Sequence, residues 1–292
     1  MFYCLKAGAL CARIIPRRIG VRIAFGVGYI FGLFPTALHK RIAKIQKRIT
    51  PSLGASKSRT RVAGVVASYA FYWWDVFWLS SPRSATDIDS IVNIEGIIHF
   101  EEAISALRES NEGIIFALPH MGSWEIAGAW LGTHGYDPVV VAERLEPPEL
   151  FELFTSTRTR AGMTVVAHDD HPTSKLLATL NDGGIVCLVA DRDISRKGVT
   201  VTFFGADKTL PTGPAVLALK TGAVIIPVCT FVSRDSQVNI VFSPPLLMSQ
   251  YQSEDRNRNI HDATQDLATI FEDMISRDPA QWHVLHDEWS RI

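Results

Sequence analysis

Hydrophobic and polar positions divide the chain into two textures. From about residue 92 onward, short runs rich in Val and Ile alternate with stretches of helical period. Strands are expected at 113–118, 138–142, 164–167, 185–190, 199–204, 223–230 and 238–242. Helices are expected at 123–133, 148–161, 173–180, 213–221 and 260–276. In the last of these, Ala263, Leu267, Ile270, Phe271 and Met274 mostly keep to one face. Such alternation predicts an α/β sheet covered by helices. No internal repeat, low-complexity tract or long flexible linker divides the chain.

The N-terminal texture is different. Residues 23–38, IAFGVGYIFGLFPTAL, form an uncharged run of 16 that includes Pro35. A spanning helix needs about 20 apolar residues. Arg13, Arg17, Arg18 and Arg22 precede the run; Lys40, Arg41, Lys44, Lys47 and Arg48 follow it. No A-x-A-like site follows, which disfavours a cleavable signal. The pattern fits a helix lying in a membrane interface, its apolar side in lipid and its bases on phosphates. A second apolar stretch, 62–74, ends in Tyr69, Phe71, Tyr72, Trp73 and Trp74. Two readings weigh equally for it: a lipid–water boundary, or the core of a helix packed on the rest of the molecule. Gly26, Gly28 and Gly32 are spaced GxGxxxG rather than GxGxxG, so they read as close helix packing and not as a dinucleotide loop. The expected division is 1–74 as membrane-associating helices and 75–292 as the α/β domain.

Charge sharpens this division. The 292 residues are 47% apolar and 20% charged, within reach of one large α/β unit and unlike a multi-span membrane protein. The net charge of −1 hides an asymmetry: residues 1–74 hold 13 Lys and Arg and no acid, leaving 16 bases against 30 acids in the remainder. The basic end calls for an anionic partner. An anionic membrane surface is favoured over nucleic acid, because the bases are interleaved with long aliphatics. Cys4, Cys11, Cys187 and Cys229 form no CxxC and read as reduced, buried thiols. His168 to His171 reads as a polar turn. His283, His286, Asp287 and Glu288 read as a polar tail anchored by Trp282 and Trp289. No zinc spacing occurs, so no metal is expected. A serine hydrolase is disfavoured by the lack of a GxSxG elbow.

The stretch GIIFALPHMGSWEIAGAW carries the chemistry. Its strand ends at Leu118, Pro119 stops it, and His120 falls at the strand's C-terminal end, where open α/β sheets place their ligands. Ser123 reads as an N-cap. Glu125 falls in the first helical turn, where the helix dipole favours its ionised form. A loop folding His120 back toward Glu125 would give the ring a carboxylate on one nitrogen and a basic lone pair on the other. The bland alternative is a loop histidine beside a helix-capping glutamate.

With these residues in view, the chain resembles the lysophospholipid and lipid A type acyltransferases, which carry an HxxxxD or HxxxxE motif. Within them it is most similar to the actinobacterial branch that acylates phosphatidylinositol mannosides. The resemblance covers most of the chain and is strongest at ALPHMGSWEIAGAWL, VVVAERLEP, LVADRDISRKGVTVTFFG and DPAQWHVLHDEW. It implies a mixed central β-sheet flanked by helices, with amphipathic N-terminal helices on the cytoplasmic face of the cell membrane. It also implies an acyl-CoA donor as co-substrate, no cofactor, and a glycolipid acceptor whose mannose hydroxyl takes a fatty acyl chain such as palmitoyl. His120 matches the family's catalytic histidine, Glu125 the acid of its motif, and Asp191 a carboxylate beside the histidine. Relatives usually carry Glu at the Asp191 position, and either acid is able to orient the ring. Arg158 matches an arginine near the acyl donor; Glu143, Arg192, Lys197 and Lys220 complete the implied substrate contacts, although relatives tend to have Glu at the position of Lys220. Arg158 or Arg192 would grip CoA phosphates as a fork, or else form a surface ion pair. Other acceptors, a lysophospholipid or a lipid A precursor, are the alternatives, as is a non-catalytic lipid-binding protein of the same fold. Deleting residues 1–48 is expected to lower membrane association more than folding.

Overall fold

The computed structural model describes residues 2–81, 84–194, 196–286 and 289. Four helices lead: α1 (Phe2–Ile14), α2 (Arg17–Gly32), α3 (Ala37–Ile49) and α4 (Ala55–Leu79). A short α5 (Ser84–Asp87) and β1 (Val92–Glu95) follow. The chain continues through α6 (Ile97–Ser110), β2 (Ile114–Leu118), α7 (Trp124–Thr133), β3 (Val139–Ala142), α8 (Pro148–Arg160), β4 (Thr164–Ala167), α9 (Thr173–Asn181) and β5 (Ile185–Val189). Then come β6 (Val199–Phe203), β7 (Ala206–Leu210), α10 (Gly213–Thr221), β8 (Val224–Val232), β9 (Val238–Phe242) and α11 (Arg256–Arg277).

The main sheet runs β1-β9-β8-β2-β5-β3-β4, parallel throughout except for the antiparallel β8–β9 pair. This is a mixed α/β fold. The strand β2 lies at its centre, every residue buried. Its side chains alternate between two cores, as strand geometry requires. Ile115 and Ala117 meet Leu180 of α9, Leu217 of α10 and Phe271 of α11. Ile114, Phe116 and Leu118 meet Phe100 of α6 and Ile126 and Trp130 of α7.

Several elements depart from the sequence expectation. The strands β1 and β7 and the helices α5 and α6 were not expected. The strand at 199–203 does not join the main sheet; it pairs with β7 as a separate antiparallel hairpin.

The N-terminal helices pack in an inverted manner. In α2 the small residues Gly20, Gly28 and Gly32 face inward. A Cβ at Gly28 would lie 2.8 Å from the Ala67 Cα, and one at Gly32 2.6 Å from the Ala63 Cα, so only glycine lets α2 approach α4 this closely. Gly26 has open space instead and does not share this role. Apart from the buried Val21, the large apolar residues of α2 point outward. Ten of the fourteen exposed large hydrophobic side chains among the described residues lie between Leu10 and Leu38, a concentration well beyond scattered surface apolars.

The helix α4 is long and apolar enough to span a membrane, but 67% of its apolar window is buried inside the molecule. Phe71 and Tyr72 are buried and Trp124 stacks on Tyr72, so this aromatic cluster belongs to the packed interior.

Arg17 is a correction to the basic flank. It is buried, and its guanidinium donates to both carboxylate oxygens of Asp75 at 2.8 and 2.9 Å and to the Ser236 carbonyl at 2.6 Å. Arg48 lies over the Trp289 ring. Cys229 is fully buried and Cys187 partly so, and burial pushes both thiols up to about 12. Cys11 is exposed, contrary to the expectation of buried thiols.

Candidate active site

Strand register builds the site. Adjacent parallel strands β2 and β5 pair Leu118 with Val189. Two residues beyond those partners stand His120 and Asp191, so the register brings them together although they are 71 positions apart. The Ala190 N–H donates to the Leu118 carbonyl and extends the ladder to this point. Asp191 Oδ1 accepts from His120 Nδ1 at 2.5 Å; Oδ2 accepts from the His120 backbone N–H at 2.9 Å and from the Trp282 indole at 2.7 Å.

Asp191 is fully buried, which by itself would raise its pKa. The His120 ring, Lys208 and the hydrogen bonds from His120 and Trp282 outweigh burial and hold its carboxyl well below the usual carboxylate range. An ionised carboxylate only accepts, so Nδ1 carries a ring proton and the lone pair of the neutral imidazole lies on Nε2. The His120 side chain is 22% exposed, leaving the ring reachable from solvent.

Glu125 does not contact the ring. It projects from the first turn of α7 toward α8, where Arg158 grips it with two hydrogen bonds of 2.9 and 2.6 Å. The Tyr72 hydroxyl adds a third at 3.1 Å. Burial, followed by Glu125, raises the Tyr72 hydroxyl well above its ordinary value. Burial also opposes the Arg158 charge, but the Glu125 carboxylate more than offsets this, and the guanidinium stays firmly protonated. Of the two acids that the sequence left open, Asp191 is the one on His120. The helix start directs Glu125 the other way.

Ser123 stands at the N-terminus of α7, yet its hydroxyl makes no capping bond. It donates instead to Asp75 at 2.6 Å, a buried carboxylate and so the stronger acceptor. Gly122, one residue earlier, has a φ of +64°, and a Cβ there would come within 2.2 Å of the Thr230 carbonyl oxygen. The turn from His120 into α7 therefore requires glycine at this position.

The remaining candidates fall in different places. Glu143 directly follows β3 on the same sheet edge as His120, exposed. Arg192 and Lys197 lie on the segment after Asp191, with Arg192 half-buried and Lys197 exposed. Lys220 is a correction. It sits exposed in the last turn of α10, which leads into the N-terminal end of β8. That end is level with Ile114, at the far end of β2 from His120, so Lys220 takes no part in this cluster.

The segment 279–283 is the contribution that sequence reasoning missed. It runs along the loop between β2 and α7 and clamps it: Gly122 N–H donates to the Gln281 carbonyl, Trp282 bridges to Met121, and His283 N–H donates to the His120 carbonyl. His283 is no solvated tail residue. It is buried, with Nε2 2.8 Å from the Ser68 hydroxyl, and burial together with the nearby His120 pushes it down to about 3. The motif DPAQWHVLHDEW was the only signal for it. Asp287 and Glu288 lie outside the described residues. Asp169 and Asp170 pair with Arg144, and among the described residues no group of three or more His, Cys, Asp or Glu converges as a metal site.

An apolar cavity opens between α7 and one face of the sheet, its wall including Leu118 and Val189, two residues before His120 and Asp191. Phe116, Leu118, Val189, Met163 and Phe242 line it, with Trp124, Glu125 and Arg158 also on its wall.

Residues 2–291 match the family described as bacterial lipid A biosynthesis acyltransferase. Over 294 aligned residues the chain is 32% identical to a phosphatidylinositol mannoside acyltransferase of Mycobacterium tuberculosis (strain ATCC 25618 / H37Rv), covering 97% of this chain and 86% of that one. Over 290 residues it is 36% identical to a phosphatidylinositol mannoside acyltransferase of Mycolicibacterium smegmatis, covering 97% and 89%.

Proposed function

Because the chain belongs to the bacterial lipid A biosynthesis acyltransferase family, we propose that this lipid acyltransferase moves a fatty acyl group, palmitoyl being the expected one, from acyl-CoA to a mannose hydroxyl of a phosphatidylinositol mannoside. The observation that carries the mechanism is the His120–Asp191 pair at the end of β2 and β5. Asp191 fixes the tautomer, and His120 Nε2 takes the acceptor's hydroxyl proton as its oxygen attacks the thioester carbon. The thioester is already activated, so attack needs no covalent enzyme intermediate. The oxyanion finds backbone donors at the start of α7. CoA thiolate then leaves, taking up the proton held by His120.

The cavity beside the pair suits the acyl chain, since its wall is apolar apart from Glu125 and Arg158. The acceptor explains the outward apolar face of α2. An enzyme whose acceptor stays in a bilayer works best held at its surface, and this face, flanked by exposed Arg18, Arg22, Lys40 and Arg41, suits an interfacial helix on the cytoplasmic leaflet.

Purified protein given palmitoyl-CoA and phosphatidylinositol mannoside should release CoA thiol in step with an acylated product. Mass spectrometry of that product separates this acceptor from a lysophospholipid or a lipid A precursor. Thiol release that ignores every lipid acceptor would sink the proposal.

A further inference from the structure

The β6–β7 hairpin stands apart from the main sheet, and its second strand carries Lys208, fully buried. Removing an ammonium from water costs several kcal/mol. Among the described residues, aromatic rings and a backbone carbonyl offset this cost. Nζ lies 4.9 to 5.2 Å from the ring centroids of Phe203, Trp282 and Trp289, within the range of cation–π attraction. It also donates a 2.8 Å hydrogen bond to the main-chain carbonyl of Asp191.

This bond completes the hold on Asp191. Its two carboxylate oxygens accept from His120 and Trp282, and its carbonyl oxygen accepts from Lys208. Trp282 belongs to both sets: one face of its indole meets the ammonium and its N–H meets the carboxylate. Lys208 and Asp191 are thereby locked into one unit, although they come from different elements. A leucine or methionine would fill an aromatic cage as well as a lysine stem does. Only a donor at the tip restrains the carbonyl.

We propose that Lys208 is a positioning residue of the acyl-transfer site, whose ammonium anchors the Asp191 turn so that its carboxylate stays on the His120 ring. The inference rests on the reading of His120 and Asp191 as the base pair. An Asp191 turn released from Lys208 would let the carboxylate drift, and a displacement of about 1 Å at a catalytic group costs on the order of a hundredfold in rate. Substrate binding does not use Lys208, which is buried behind the pair.

The test is a double-mutant cycle on the full chain, with palmitoyl-CoA and phosphatidylinositol mannoside as substrates. Lys208→Met should lower kcat at least about tenfold while leaving both KM values within about twofold. In an Asp191→Asn background the same change should cost less than about twofold, because the loss passes through that carboxylate. Losses that multiply, or a rise in either KM that accounts for the loss, overturn the proposal. If Lys208→Met melts below the assay temperature, Lys208→Leu, which also fills the cage without a donor, enters the same cycle with the same deciding outcomes. Full kcat in the lysine variant beside an inactive His120→Ala removes the role of Lys208 and leaves the acyl-transfer reading standing. An active His120→Ala overturns the reading beneath it.

Discussion

Asp75 is the first acid in the chain and is fully buried, bound by the Arg17 fork and the Ser123 hydroxyl. It ties α2, α4 and the start of α7 together behind the loop that carries His120. Asp75→Asn would leave the Arg17 charge buried against a neutral amide, and breaking a buried pair in this way costs about 3–5 kcal/mol. Urea unfolding should show that loss; a change below about 1 kcal/mol would mean that the pair contributes little. Nothing local distinguishes Arg17 from its basic neighbours, and its burial depends on a partner 58 positions away. His120 was legible because Pro119 and a buried strand announce its place. Its partner was not, because Glu125 satisfies the motif spacing while the register of β2 and β5 delivers Asp191.

At the level of elements, α2 carries the clearest separation of roles. Its glycines pack on α4, and Ile30 and Phe31 are exposed at 61% and 66%. Each large apolar side chain buried in lipid contributes about 1.5–3 kcal/mol. Ile30→Asp with Phe31→Asp should therefore reduce co-sedimentation with anionic liposomes at least about tenfold, with the thermal midpoint unchanged. Gly28→Leu should do the reverse, lowering the midpoint through a clash with α4. Equal liposome binding by the double aspartate variant would count against an interfacial α2. Truncation of residues 1–48 is not a clean test, since it removes Arg17 and the whole α2–α4 contact. The elements that sequence patterning missed share a cause. The strand β1 is only four residues long with half-exposed alternation. The strand β7 reads ADKTL, polar on its face, and gives no sign that its lysine is buried. Helix α6 is bounded by Gly96 and Asn111 in left-handed conformations, stop signals that resemble those of a loop.

For the whole molecule, the alternating α/β pattern was sufficient for the fold class, because both faces of the sheet are covered and its strands read as continuous apolar runs. Sheet order and the docking of 279–283 rest on contacts between distant segments and leave no periodic trace. That docking has a thermodynamic consequence. Folded His283 stays neutral down to about pH 3, whereas the unfolded chain protonates it near 6.5. Between those values the unfolded state binds the extra proton, so stability falls as pH drops, by up to about 1.4 kcal/mol per unit. The depressed Asp191 carboxyl acts in a lower window, losing its contribution only as pH falls below the ordinary 3.8. Urea midpoints at pH 7 and 5 thus report on His283, and His283→Asn should flatten the difference. An identical pH dependence in that variant would assign the acid sensitivity elsewhere. The central claim is that the assembled molecule uses Asp191, not Glu125, to arm His120. Steady-state acyl transfer by Asp191→Asn and Glu125→Gln, measured side by side, tests it most directly. The account predicts that Asp191→Asn loses roughly 10²–10⁴ in kcat with little change in KM, and that Glu125→Gln, which frees Arg158, keeps most of its kcat. An Asp191→Asn enzyme near full rate beside an inactive Glu125→Gln would contradict it.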